Sequence, residues 1–251
     1  MILQTNCTCH DIAGQIRSIH QPKLKGITMD LIVFDIETAA NNKAASYWAS
    51  KRFEAPSNYK DEAKIKAAIE EKRHEAAKKS GLSCITGRVT AIVACRTKPY
   101  RFFGEDEAKV LSEFGNYLSE RRDCQLVGKN SKIFDVPFLV GRYIAHDLGV
   151  PDQLRVIDRP RDIDECFGFS SQITRGSLSD YAWLMGIDGK LSHGSNAQAM
   201  FDETAFDPTK WDELVNYCER DVMITKEFLE RYLKRFQCLR SSLPEIKEVP
   251  F

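Results

Sequence analysis

The sequence predicts an α/β domain: one mixed sheet with helices on its faces. Three strand-like apolar runs lie before position 104, at 31–37, 89–95 and 100–103. After them strand-like and helix-like segments alternate, the pattern of a sheet covered by helices. The 251 residues show no internal repeat and no low-complexity linker, a length ordinary for a single α/β domain. A hydrophobic content of 43% fits a packed globule.

In order along the chain, residues 1–28 have weak periodicity and read as a peripheral extension to a domain spanning 29–251. Residues 31–37 form an apolar run ending in acids, which reads as a buried strand. Residues 61–79 mix both signs of charge at helical spacing, the signature of a solvated helix face. The 81–87 segment breaks that helix, 89–95 is a second strand, and 100–103, after Pro99, is its hairpin partner. Residues 110–118 have helical spacing and 125–128 a short strand. The helix at 135–146 tolerates Pro137 in its first turn. Residues 154–175 read as irregular, with one short strand near Val156 and Ile157. Ser177 caps a helix running to Met185, with Asp180 placed to close the capping box. Residues 186–195 read as loop. Pro208 opens the longest helix, whose apolar stripe includes Trp211, Leu214, Val215, Cys218, Val222 and Leu229.

Charge narrows the function classes. With 36 Lys+Arg against 36 Asp+Glu, a broadly basic duplex-binding surface is excluded. A protein that grips a few phosphates, directly or through metal ions, is not. Lys51, Arg52, Lys129, Lys132 and Arg142 are candidates for a local basic rim. No run of about 18 apolar residues occurs, so no membrane span is expected. The eight cysteines mostly stand singly in apolar segments, and the first residues do not resemble a secretion signal. Reduced thiols and a cytoplasmic location are expected. Cys7, Cys9 and His10 invite a zinc reading, but their spacing is not that of a zinc finger, and the extension reading is favoured. Phosphate-cradling glycine loops are absent.

Four carboxylates carry the chemical argument. Asp35 and Glu37 stand two apart on an otherwise apolar strand, so they share a face and repel each other. A divalent cation relieves that repulsion. Asp135 opens a helix and by itself fits an N-cap. Asp221 lies mid-helix, one turn after Tyr217, and by itself fits a solvated acid. Together the four supply the hard oxygen ligands that Mg²⁺ or Mn²⁺ prefer, and with them the chemistry of phosphodiester hydrolysis.

Phe34-Asp35-Ile36-Glu37-Thr38, Asn130-Ser131-Lys132-Ile133-Phe134-Asp135 and Tyr217-Cys218-Glu219-Arg220-Asp221 resemble, in that order, the three exonuclease motifs of the tyrosine branch of the DEDD superfamily. The family patterns are D-x-E-T, N-x₂₋₃-F-D and Y-x₃-D. From about 29 to 234 the chain is similar to stand-alone exonucleases related to the proofreading domains of family-B DNA polymerases, including the stretches 83–89 and 186–190.

The resemblance implies an RNase H-like fold. It also implies 3′-5′ hydrolysis of single-stranded ends by two Mg²⁺ or Mn²⁺ ions, with release of nucleoside 5′-monophosphates and DNA preferred to RNA. On this carry-over Asp35 bridges both ions, Glu37 and Asp221 complete the site of the attacking water, and Asp135 supports the second ion through water. Tyr217 orients the attacking water as a protonated phenol. Thr38 and Asn130 contact the terminal nucleotide. Phe134 stacks on its base or, equally well on the sequence, packs in the core. Ser177 and Leu178 belong to a motif that holds single-stranded DNA. Lys190 stands near the scissile phosphate, although His193 occupies a place where the family has an apolar residue. The rival readings are an exoribonuclease, a catalytically silent nucleic-acid-binding module and an aspartyl phosphatase, the last resting on the likeness of Asp35-Ile36-Glu37-Thr38 to D-x-D-x-T with no second motif in support. A replication or repair protein as partner is left open.

Overall fold

The computed structural model describes residues 30–122, 124–155, 161–164, 176–187 and 197–241. The expected short strand at Val156 and Ile157 lies outside them, as do Cys7, Cys9, His10, Lys190 and His193.

The chain folds as a mixed α/β structure. Among the described residues its sheet has five strands in the order β3-β2-β1-β4-β5. The central strand β1 (Asp30–Ala40) pairs antiparallel with β2 (Gly87–Cys95), which pairs antiparallel with β3 (Pro99–Phe103). On its other side β1 pairs parallel with β4 (Cys124–Gly128), and β4 pairs parallel with β5 (Arg161–Asp162). The α-helices among the described residues are α1 (Ala44–Ser50), α2 (Glu62–Lys78), α3 (Glu107–Ser119), α4 (Asp135–Ala145), α5 (Leu178–Met185), α6 (Ala197–Thr204) and α7 (Lys210–Ser241). None of them is long and apolar enough to cross a membrane.

Alternation along β1 builds the two faces. Ile32, Phe34 and Ile36 pack with α3 and α4 residues such as Leu111, Phe114 and Leu139. Val33 points the other way, into a second core formed with α5 and α7 through Tyr181, Val215, Cys218 and Val222. The period of two then carries Asp35 and Glu37 to the α7 side. Opposite Glu37 and Thr38 the register shifts, Glu37 pairing with Ala91 but Thr38 with Val89. Thr90 is thus the extra residue of a bulge, and its hydroxyl donates to the Glu37 carbonyl at 3.0 Å.

The expected elements that fall on described residues are present, with four differences, the first being β5 in a stretch expected to be irregular. β1 runs three residues past the acid pair, to Ala40. Helices α1 and α6 occupy segments without a periodic signal in the sequence. Arg142, placed on a basic rim by the sequence, is instead buried: its guanidinium donates to both carboxylate oxygens of Glu107, at 2.8 and 2.7 Å. Helix α2 forms as expected, its amides at Ala63 and Lys64 capped by Asp61, and buries none of its own residues.

Candidate functional site

β1, the turn after β4 and helix α7 converge on a cleft of about 750 Å³. Nine residues singled out in the sequence line it: Asp35, Glu37 and Thr38 from β1, Lys129, Asn130 and Phe134 from the turn, Asp135 at the start of α4, and Tyr217 and Asp221 from α7. Ser177 and Leu178 do not line it. Leu178 packs into the core beside Tyr181, and Ser177 is engaged in a reciprocal capping box with Asp180.

The turn is built by tight packing. β4 ends at Gly128, where a Cβ would meet the Ser131 Cβ at 2.6 Å and the Phe34 carbonyl at 3.1 Å. Asn130 then adopts a left-handed conformation, φ 63°, and its carbonyl accepts from the amides of Ile133 and Phe134, both at 3.1 Å. Asn is among the few side chains that tolerate this region. Gly128→Ala is therefore expected to destabilise the fold by about 1–3 kcal/mol, read as a lower urea midpoint at unchanged slope. An unchanged midpoint would show that this approach is slack.

Asp135 is not the N-cap that its isolated reading suggests. Phe134 holds that position, and Asp135 is the first residue of α4, buried at 3% exposure. Burial pushes its carboxyl up to about 7, assisted by the nearby charge of Asp162, while hydrogen bonds from the amides of Asp135 and Ile36 pull it back. A carboxyl that is costly to ionise when empty gains most from a cation.

On the opposite wall, Tyr217 and Asp221 sit one helical turn apart on α7. Burial raises the Tyr217 phenol well above its ordinary range, and Asp221, Glu37 and Asp35 add to the effect, so it stays protonated. Between them in sequence, Cys218 meets β1. Its thiol lies 3.5 Å from the Asp35 carbonyl and 3.7 Å from the carboxylate Oδ2. The Cys218 sulfur and one oxygen each of Asp35 and Glu37 lie within 4.8 Å of one another, a group able to hold a metal ion. Burial, then the neighbouring acids, raises the thiol pKa well above normal. Its small volume suits the close approach of α7 to β1.

Several lining residues had no sequence signal. Lys78, Gly81 and Leu82 come from the end of α2 and the turn after it, and Gln198 and Asp202 from α6. The Gln198 side-chain oxygen accepts from the Ala40 amide at 2.6 Å, tying α6 to the end of β1. Beneath the turn, the Asp164 carboxylate pairs with Lys129 at 3.0 Å and accepts from the Tyr181 hydroxyl. Asp162 accepts from the backbone amides of Asp164 and Asn130. Burial raises its carboxyl pKa.

No protein-family model matches the chain, and no curated protein does. Solved structures do. One is the family B DNA polymerase from the hyperthermophilic archaeon Pyrobaculum calidifontis, with a TM-score of 0.54 at 19% identity. The match covers 81% of this chain and 24% of the polymerase, so the chain corresponds to about a quarter of that protein's length. At this identity the likeness is one of fold.

Proposed function

We propose that the chain is a metal-dependent 3′-5′ exonuclease that hydrolyses single-stranded DNA ends and releases nucleoside 5′-monophosphates, on an RNase H-like domain spanning 29–251. The observation that carries this reading is the convergence of all four motif carboxylates, with Tyr217, on one cleft. The likeness in fold to a family B DNA polymerase is in keeping with it.

The donor set fits hard divalent cations. Asp35, Glu37, Asp135 and Asp221 offer oxygen ligands, two of them within 4.8 Å of each other. Asp35, Glu37 and Asp221 would hold one Mg²⁺ or Mn²⁺ and Asp135, with Asp35, a second. Bound there, the ions supply an acidified water and charge neutralisation at the phosphate. The chain's residues do the rest. The Tyr217 phenol, kept protonated by burial and its acidic neighbours, donates a hydrogen bond that orients the attacking water. Thr38 and Asn130 meet the terminal nucleotide, and Phe134, half-buried at the cleft wall, offers its ring to the terminal base.

The test is incubation of the protein with 5′-labelled single-stranded DNA and RNA of one sequence in Mg²⁺, Mn²⁺ or EDTA. A metal-dependent ladder shortening from the 3′ end of DNA is expected. A ladder on RNA alone would assign the exoribonuclease reading, and tight binding without cleavage the binding-module reading. Tyr217→Phe is expected to lower kcat by roughly 10²-fold with KM and the metal midpoint retained. An unchanged kcat would mean that another group orients the water.

A further inference from the structure

The cleft is strongly acidic for a site that admits a phosphodiester. Among the described residues lining it, Asp35, Glu37, Asp135, Asp202 and Asp221 face only two cations, Lys78 and Lys129. The two differ in kind. Lys78 is exposed at the end of a helix that buries nothing. Lys129 is held: its side chain is 16% exposed and its ammonium lies 3.0 Å from an Asp164 carboxylate that is itself 3% exposed. The Tyr181 hydroxyl donates to the other oxygen of that carboxylate, and the Lys129 ammonium stands 5.6 Å from the Tyr181 ring.

We propose that Lys129 is a substrate-contacting residue, whose ammonium hydrogen-bonds a non-bridging oxygen of one backbone phosphate of the strand in the cleft, and that Asp164 is the positioning residue that aims it. The inference rests on the exonuclease reading and adds a residue to it. An ammonium has three donors, and the Asp164 contact uses one. A lysine already fixed by a buried partner loses little rotamer freedom when a phosphate arrives, so more of the contact is kept as affinity. Its backbone neighbour is Asn130, whose left-handed turn is fastened by the Asp162 carboxylate. Lys129 and the turn leading into α4 are thus set by two carboxylates of one short segment, 161–164.

The experiment measures binding of a short labelled single-stranded DNA in Mg²⁺ by fluorescence anisotropy, on the Asp35→Ala background so that the strand is not cut. A single neutral methylphosphonate linkage is moved stepwise from the 3′ end. One linkage is expected to cost about tenfold in Kd when neutralised. Adding Lys129→Gln is expected to cost about the same on the all-phosphate strand and nothing more at that linkage. Lys129→Arg is expected to keep most of the linkage effect. Because Lys129→Gln leaves Asp164 buried without its cation, the double variant Lys129→Gln/Asp164→Asn, which buries no orphan charge, is measured beside it and is expected to show the same loss. Asp164→Asn alone is expected to shrink the linkage-specific penalty while the other linkages keep theirs.

An unchanged Kd in a folded Lys129 variant, or an equal effect at every linkage, overturns the inference. Wild-type cleavage is followed in parallel. If the wild type cuts DNA yet no linkage depends on Lys129, this inference alone falls. If the wild type neither cuts nor binds, the exonuclease reading falls with it.

Discussion

Asp35→Ala is expected to lower the metal-dependent cleavage rate by at least about 10³-fold, since it removes the ligand proposed to touch both ions and with it several kcal/mol of transition-state charge stabilisation. The same substitution is expected to leave the metal-free protein as stable as the wild type or more so. Asp35 and Glu37 share one face of β1, with carboxylate oxygens in a group spanning less than 4.8 Å, and Asp221 lines the same cleft. Removing one like charge relieves repulsion, while the contact of the Cys218 thiol with the residue-35 carbonyl is retained. Magnesium should then lose its stabilising effect. Ligand linkage supplies about 2.7 kcal/mol at a hundredfold excess over Kd, and the variant forfeits it. Thermal melts with and without Mg²⁺, beside the cleavage assay, read both effects. Retained turnover, or a melting temperature that still rises with Mg²⁺, would remove Asp35 from the centre.

Arg142→Ala is expected to be the most damaging single change to stability, at about 3–5 kcal/mol in urea unfolding at neutral pH. Glu107, in the first turn of α3, is buried and accepts from the Val89 amide at 2.7 Å, from Arg142 at 2.8 and 2.7 Å, and contacts His146 at 2.8 Å. Arg142 also donates to the Cys84 carbonyl at 2.9 Å. The group ties α3, α4, β2 and the segment before β2 together. Deleting the guanidinium leaves a buried carboxylate facing one amide and one imidazole. The double variant Glu107→Leu/Arg142→Met, which leaves no orphan, is expected to recover most of the loss. A small effect of Arg142→Ala would mean that water enters and replaces it.

Two of the buried carboxyls, Glu107 and Asp135, respond to pH with opposite sign. Burial alone would raise Glu107, but Arg142, the Val89 amide and His146 outweigh it and hold it below its ordinary value. Its stabilisation is present above the unfolded value and is lost as acid takes the pH down through the folded one. Asp135, pushed up to about 7, lowers the stability of the metal-free protein as pH rises from the ordinary carboxylate value toward 7.

What the sequence revealed follows the range of each interaction. The acid pair on β1 was legible because period-two alternation is local, and Tyr217 with Asp221 because one helical turn is local. Arg142 was misplaced because its own helix shows only a charged position; its partner Glu107 lies 35 residues earlier. Asp162 and Asp164 sit in a polar, aperiodic stretch, and their burial depends on Lys129 and Asn130 in a different turn. Helix α6 is short, and a hydrogen bond spanning 158 residues anchors it to Ala40. Asp135 was legible as a carboxylate of the cluster, but not as a buried one, since its burial comes from β1.

The meeting of Cys218 with Asp35 spans 183 residues of chain. At the pace of translation, about 5–20 residues per second, that separation is roughly 10–40 s of synthesis. Once residues 87–95 are made, β1 can pair with β2, but the wall carrying Tyr217 and Asp221 does not yet exist. Nascent chains thus hold one wall of the acidic cleft, and assembly of the whole waits on a long-range closure of the kind that slows folding. Vectorial synthesis gives the molecule an order of events in which the sheet comes first and the complete acidic cleft comes last.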